Sequence, residues 1–310
     1  MSLIPRVGLC CLTVLAVASP ATGDLVNAVR TLIAQQQFAA AEREVEQYRS
    51  RAGSDVEVAE AVSWLGRGAL AARDYDRADR YATEARRLSL DLLRRRKLDD
   101  EKHLPLALGA SIEVHANVMA AQGERSEAVA FLRQQLAAYG STSIHERIQK
   151  NINLLSLEGK AAPPLDAAKW LGGPPRSLAS LRGKAVLLFL WAHWCGDCKG
   201  MVPVIAALRD TYAARGFEVV GPTKLYGYAA GGMDAPPDQE MRYIDQVRHQ
   251  FYSPLAGMAV PVGNSIFQTY GVSTTPTLVL IDRAGIVRMY HPGAMRQKEL
   301  AARIEPLLTN

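Results

Sequence analysis

Two cysteines separated by two residues, in the run Trp194-Cys195-Gly196-Asp197-Cys198, are the part of this chain best suited to chemistry. The 310 residues include four cysteines, and the other two, Cys10 and Cys11, fall in an apolar N-terminal stretch. Residues 1–23 read as a secretory signal. Arg6 supplies the positive start, Val7 to Ala18 a short apolar core, and Ala16-Val17-Ala18 or Ala21-Thr22-Gly23 a small-residue cleavage site. The mature chain is therefore expected to keep only the Cys195/Cys198 pair. Two sulfurs so spaced at the start of a helix close a small ring and open it again. The helix dipole and its unpaired amides lend thiolate character to the first, exposed member. Half of a zinc site is the other reading of such a pair, and it requires a second pair of ligands. The six histidines (His103, His115, His145, His193, His249 and His291) are scattered, and only His193 is near. Redox exchange is the expectation, with no metal and no other cofactor.

Flanking patterns say what must hold the pair. Ala185 to Ala192 is a continuous apolar run, as in a strand buried on both faces of a mixed or parallel sheet. After Cys198, the residues Met201, Val202, Ile205, Leu208 and Tyr212 recur at helical spacing. The cysteines thus sit at a strand-to-helix junction, and Pro203 inside the helical pattern should kink it. Pro276, in Thr275-Pro276, stands at the mouth of another apolar strand. A proline there is either an edge residue or a cis bond that frees the preceding backbone to pair with an incoming peptide. Phe217 to Pro222 reads as a further strand, followed by a Gly-, Pro- and Tyr-rich loop over Lys224 to Asp238. A helix from about Gln239 to Phe251 and a strand near Met258 to Val262 come next. Tyr226, Tyr228 and Met233 of the loop either form a partner-recognising lip near the cysteines or pack down as a surface cover.

With these pieces in place, residues from about 160 to 308 resemble a thioredoxin-fold domain of the TlpA/ResA-like group of exported thiol–disulfide oxidoreductases. The resemblance rests on the apolar strand 185–192, Trp194 with the cysteine pair, Pro203, the Thr275-Pro276 pair, the hairpin from Asp282 to Arg288, and the leader from Leu178 to Lys184. It implies that Cys195 attacks and Cys198 resolves, that Pro276 is cis and faces the pair, and that Trp194 shields it. It further implies a reductant of selected periplasmic proteins, recharged by a membrane-linked electron donor. Three positions depart from the pattern. Phe189 stands where thioredoxins carry a buried acid, Met201 where the group often carries a glutamate, and Asp197 where the dipeptide usually has proline. The common proton acceptors for the resolving thiol are missing, which leaves Asp197 and His193 as the nearest titratable candidates. A carboxylate beside Cys195 raises its pKa, whereas a protonated His193 would lower it.

Residues 24–157 are rich in Ala, Leu, Arg and Glu, with Pro105 the only proline, a helix-forming composition. Phe38-x-x-Ala41-x3-Val45-x2-Tyr48 matches Tyr75-x-x-Ala78-x3-Ala82-x2-Ala85, and Arg125-x-x-Ala128-x3-Leu132-x2-Gln135 follows more loosely. The resemblance is to a degenerate tetratricopeptide-like array of about three helical hairpins, with an inserted or lengthened helix around 88–104. A generic helical bundle is the alternative. His103, His115 and His145 are expected as isolated surface residues, and the array as a platform for a protein partner.

The expected fold is thus two domains: an all-α, tetratricopeptide-like repeat over 24–157, a linker over 158–164, and an α/β thioredoxin fold over 165–310. The formal charge of +5, or +4 without residues 1–23, is small and dispersed. Arg94 to Lys97 is followed by Asp99, Asp100 and Glu101, as on a solvated, self-compensating helix surface, so nucleic acid is not an expected partner. No segment beyond the N-terminal stretch approaches membrane length. An exported location follows, with an uncleaved N-terminal anchor as the rival to a cleaved signal. The leading function is thiol–disulfide exchange with protein substrates. The alternative is a protein-binding scaffold with a vestigial redox domain. A thiol peroxidase is disfavoured, because Leu190-Trp191-Ala192-His193-Trp194 before Cys195 does not match the peroxidatic pattern.

Overall fold

The computed structural model describes residues 24–308, so the signal-like segment 1–23, with Cys10 and Cys11, lies outside the described residues. Seven helices come first: α1 (Asp24–Ala34), α2 (Phe38–Ala52), α3 (Val56–Ala71), α4 (Tyr75–Leu93), α5 (Leu104–Ala121), α6 (Arg125–Tyr139) and α7 (His145–Ser156). The three related stretches open α2, α4 and α6, at Phe38, Tyr75 and Arg125. Their shared alanines, Ala41, Ala78 and Ala128, are fully buried, as close helix approach requires. The turns before them recur as well. Gln36, Arg73 and Gly123 all have positive φ. The next amide then donates to a carbonyl five residues back: Gln37 to Leu32 (2.8 Å), Asp74 to Ala69 (2.9 Å) and Glu124 to Met119 (2.9 Å). A left-handed residue with this six-to-one bond terminates a helix and reverses the chain.

The wider offset to the third hairpin comes mainly from the connection over 94–103, where a helix was expected to continue, and secondarily from α4, which at 19 residues outruns the 15 of α2. Three expectations about this half need correction. Arg94 to Lys97 is not helix surface: α4 ends at Leu93, and the run forms the following loop, where Arg96 pairs with Glu101 at 2.5 Å. The histidines are not isolated. His103 Nδ1 lies 2.7 Å from Glu60, His115 Nδ1 2.5 Å from Asp79, and His145 Nδ1 2.8 Å from the Gly140 carbonyl. Finally, α5 is an 18-residue helix long and apolar enough to span a membrane by length and composition. Its apolar residues have another destination: Leu104, Leu108, Ile112 and Ala116 form a core with Ala128, Leu132 and Ile148 of α6 and α7. A central helix covered by neighbours on several sides is apolar all round for that reason.

The second half is one six-stranded mixed sheet of strands β1 (Lys169–Gly172), β2 (Ala185–Leu190), β3 (Phe217–Val220), β4 (Ala259–Val262), β5 (Thr277–Ile281) and β6 (Val287–Pro292), in the order β1-β4-β3-β2-β5-β6. Strands β2, β3 and β4 are parallel, while β1, β5 and β6 are antiparallel to their neighbours. The helices α8 (Gly196–Tyr212), α9 (Pro237–Phe251), α10 (Asn264–Tyr270) and α11 (Gln297–Ile304) cover it. All six residues of β2 are buried, and they divide by parity. Leu187 and Phe189 enter the core with α8, α9 and α11, whereas Val186, Leu188 and Leu190 enter the core with α10. Double-sided burial is what the unbroken apolar run encoded.

Residues 158–164 run along the β5–β6 hairpin. Gly159 donates to the Val287 carbonyl, Val287 to Lys160, and Ala162 to Gly285. Helix α7 packs against the sheet domain: Asn153 Nδ2 donates to the Thr269 carbonyl at 3.2 Å, and Glu146 pairs with Lys224 at 2.5 Å. Gly271, at φ +60°, meets α7 so closely that a Cβ there would stand 2.2 Å from the Lys150 amide nitrogen. Gly123, at φ +95°, has open space. Gly123→Ala should therefore cost only the left-handed strain, about 1–2 kcal/mol, whereas Gly271→Ala adds a backbone collision at the interface. In urea unfolding followed by circular dichroism, Gly271→Ala is expected to lose clearly more stability than Gly123→Ala. Equal losses would refute the tight seating of α7.

Candidate active site

The geometry begins where β2 runs out. The Trp191 amide donates to the Pro222 carbonyl, its indole to Gly221 (2.9 Å), and its own carbonyl accepts from the Thr223 hydroxyl (2.8 Å). With Trp191 fixed, the chain turns within four residues into α8. Cys195 is the residue capping α8: its Sγ accepts from the Cys198 amide at 3.0 Å, satisfying one of the free donors of the first turn. Cys195 and Cys198 are joined as a disulfide with an S–S distance of 2.07 Å. Asp197 lies exposed in the first turn, where a negative charge suits the helix dipole. Pro203 is accommodated in α8, which continues through it to Tyr212.

Cys195 was expected to be the exposed member of the pair, yet its residue exposure is 3%, against 0% for Cys198. Both belong to an apolar cluster with Phe189, Trp191, Met201, Val202 and Ile205. Trp194 is the exposed neighbour, at 50%. The two positions that lack an acid are filled by packing: Phe189 lies 6.1 Å from the Tyr252 ring, which also stacks 4.3 Å from Trp191, and Met201 is buried beside them.

The Thr275–Pro276 bond is cis. Pro276 immediately precedes Thr277, which pairs with Leu190, the last residue of β2. Register therefore brings the cis bond to the sheet end from which the cysteine turn departs. The Thr275 hydroxyl is buried with no hydrogen-bond partner among the described residues.

One group escaped the sequence reading. Glu240 of α9 is fully buried, and its carboxylate accepts from the Tyr226 amide (2.6 Å) and the Gly227 amide (2.8 Å). His193 Nε2 lies 3.2 Å from the same carboxylate. The imidazole is enclosed edge-on by the rings of Tyr226, Tyr228 and Tyr243, with centroids at 5.5, 5.2 and 5.3 Å. Its Nδ1 is buried with no hydrogen-bond partner among the described residues. Tyr226 also packs against Trp194, at 5.6 Å. The structure thus brings His193, Tyr226, Tyr228 and Trp194 into one aromatic cluster beside the cysteines, while Met233 is exposed and Asp197 faces solvent. A glutamate in a polar helical stretch carries no sequence signal for burial. Only the loop amides that it receives explain it.

Residues 177–307 match the family profile described as a thioredoxin-like domain. Among curated proteins, the chain is 28% identical over 151 residues to thioredoxin-like protein YneN of Bacillus subtilis, covering 48% of this chain and 79% of that protein. It is 29% identical over 157 residues to thiol:disulfide interchange protein DsbE of Xylella fastidiosa, covering 50% of this chain and 71% of that protein. Against thiol-disulfide oxidoreductase ResA of Bacillus thuringiensis the identity is 30% over 129 residues, with coverages of 42% and 66%. All three matches concern about half of the chain.

Burial holds the His193 imidazole below its usual 6.5, against the upward pull of Glu240 and with a further downward push from the Lys199 ammonium. A base whose pKa is lower folded than unfolded leaves the unfolded state binding more protons between the two values. The stability tied to His193 is therefore complete above about pH 6.5 and is lost as the pH falls below it. One proton bounds the slope at about 1.4 kcal/mol per pH unit. Denaturant unfolding between pH 5 and 8 should show a shallower acid-side loss in His193→Gln than in the wild type, and parallel curves would count against a neutral buried imidazole.

Proposed function

We propose, for a chain whose C-terminal half is a thioredoxin-like thiol–disulfide oxidoreductase domain, that it works outside the cytoplasm and exchanges disulfides with protein substrates as a reductant. The observation that carries this reading is the Cys195–Cys198 disulfide at the start of α8, at the same sheet end as the cis Thr275–Pro276 bond. In the working direction the Cys195 thiolate attacks one sulfur of a substrate disulfide. An S–S bond forms between enzyme and substrate, and the other substrate sulfur leaves as a thiolate. The Cys198 thiolate then attacks Cys195 Sγ and expels the second substrate thiolate. Two electrons have passed to the substrate and the enzyme disulfide has closed. A membrane-linked dithiol donor returns the pair to the reduced state.

Trp194 shields the reacting sulfurs, and the Thr275 backbone pairs with an extended substrate segment. Tyr226 and Tyr228 contribute an apolar flank to the substrate site. Pro203, Asp197 and His193 support the cysteine helix and its entry turn rather than exchanging sulfur. The signal-like pattern of residues 1–23 supports the location, and disulfide exchange is meaningful there. The helical half is read as a tetratricopeptide-like platform for a protein partner, supported by three hairpins that share one turn geometry. The scaffold reading draws support from the apolar residues at 189 and 201, which leave the resolving thiol without the usual carboxylate.

Purified protein with dithiothreitol separates the two readings. Insulin reduction should exceed the reagent background and vanish in Cys195→Ser. Cys198→Ser, expressed outside the cytoplasm, should accumulate client proteins attached to Cys195 and released by reductant. An empty trap together with background-level insulin reduction would overturn the enzyme reading in favour of the scaffold.

A further inference from the structure

The loop after β3 is fastened at two points. At one end, Lys224 pairs with Glu146 of α7, with both side chains largely buried, and its ammonium also stands 5.4 Å from the Tyr226 ring centroid. Immediately after it, the amides of Tyr226 and Gly227 both end on the Glu240 carboxylate, at 2.6 and 2.8 Å. The same carboxylate receives His193, two residues before Cys195. One buried side chain therefore joins three elements: α9 that bears it, the tyrosine loop, and the turn that delivers the nucleophile. Nothing in the sulfur chemistry uses this carboxylate. Its cost of burial is met by the three contacts, two of them with backbone amides of the loop.

What the arrangement produces is a wall. Tyr226 lies 5.6 Å from Trp194 and 6.2 Å from Tyr228, so three aromatic rings stand together beside the disulfide, with Trp194 open to solvent. Aromatic rings held rigid bind polypeptide at low entropic cost, whereas a loose loop must be ordered on every encounter. We propose that Glu240 is a positioning residue that fastens the Tyr226–Tyr228 segment against the His193–Trp194 turn, and that the resulting aromatic wall is what protein disulfides, as opposed to small ones, bind. The inference rests on the oxidoreductase reading and adds to it a determinant of substrate class. A polypeptide carrying an apolar side chain beside its disulfide covers the wall. A small aromatic disulfide reaches the sulfur without it.

Steady-state kinetics with two substrates test it, insulin and 5,5′-dithiobis(2-nitrobenzoate). In Glu240→Gln, which keeps one acceptor oxygen, KM for insulin is expected to rise about ten-fold with a much smaller change in kcat. The ratio of insulin to small-disulfide kcat/KM falls accordingly. Glu240→Ala, which keeps none, should fall further in the same direction. An unmoved KM for insulin, or an equal loss with both substrates, overturns the proposal. Amide hydrogen exchange in the wild type gives a reading that needs no variant. The Tyr226 and Gly227 amides should be protected, and rapid exchange at both would overturn the proposal even if every substitution failed to fold. Absence of any insulin reduction by the wild type would bring down the oxidoreductase reading, and this inference with it. Wild-type reduction combined with a null result in Glu240→Gln would bring down this inference alone.

Discussion

β2 is buried on both faces, and most of the catalytic half follows from that constraint. Its six residues alternate between two cores, so the strand admits no polar side chain along its length and no slip of register. Polar and reactive groups are displaced to its C-terminal end, where the chain leaves the sheet. Trp191 locks the exit through three hydrogen bonds to Gly221, Pro222 and Thr223, the residues that follow β3. The turn that follows delivers Cys195 to the N-terminus of α8, where free amides await a partner. Its sulfur takes one of them, from Cys198. Antiparallel pairing with β5 brings the start of that strand, and Pro276 before it, to the same end.

The core side of the disulfide is lined by apolar side chains. Phe189, Trp191, Tyr252 and Met201 occupy the space beneath it, and the buried carboxylate of this region, Glu240, is committed to two backbone amides and His193. A carboxyl group in an apolar core is tolerated when its hydrogen-bond demand is met locally, and here it is met by a loop with no regular ladder of its own. The aromatic enclosure of His193 has the same logic in reverse: rings exclude water, which disfavours the charged imidazole.

The helical half repeats one solution three times. A helix ends in a left-handed residue, a six-to-one bond closes the turn, and a fully buried alanine four residues into the next helix lets it approach closely. Its last helix, α7, serves both halves. Arg147, Lys150 and Asn151 of α7 converge on Glu113 of α5, while Asn153 and Glu146 reach the sheet domain. Because Lys224, paired with Glu146 of α7, also approaches Tyr226, this ion pair links the helical array to the flank of the cysteine site.

The sequence by itself determined the elements and their junctions. Continuous apolar runs placed β2 and β5, helical spacing placed α8, the cysteine spacing placed the reactive pair, and spaced alanines located the second helices of the hairpins, because each signal is local in the chain. Tertiary structure decided what depends on distant partners. Leu104 to Ala121 looks membrane-like until α6 and α7 are seen to cover it. His103 and His115 look solitary until Glu60 and Asp79, 43 and 36 residues away, come beside them. Glu240 looks like any exposed helical carboxylate until the chain folds two amides onto it from 13 and 14 residues back. A local pattern reports which face of an element avoids water. It does not report which polar group will be carried inside, because that depends on donors supplied by another segment only once the chain has closed around it.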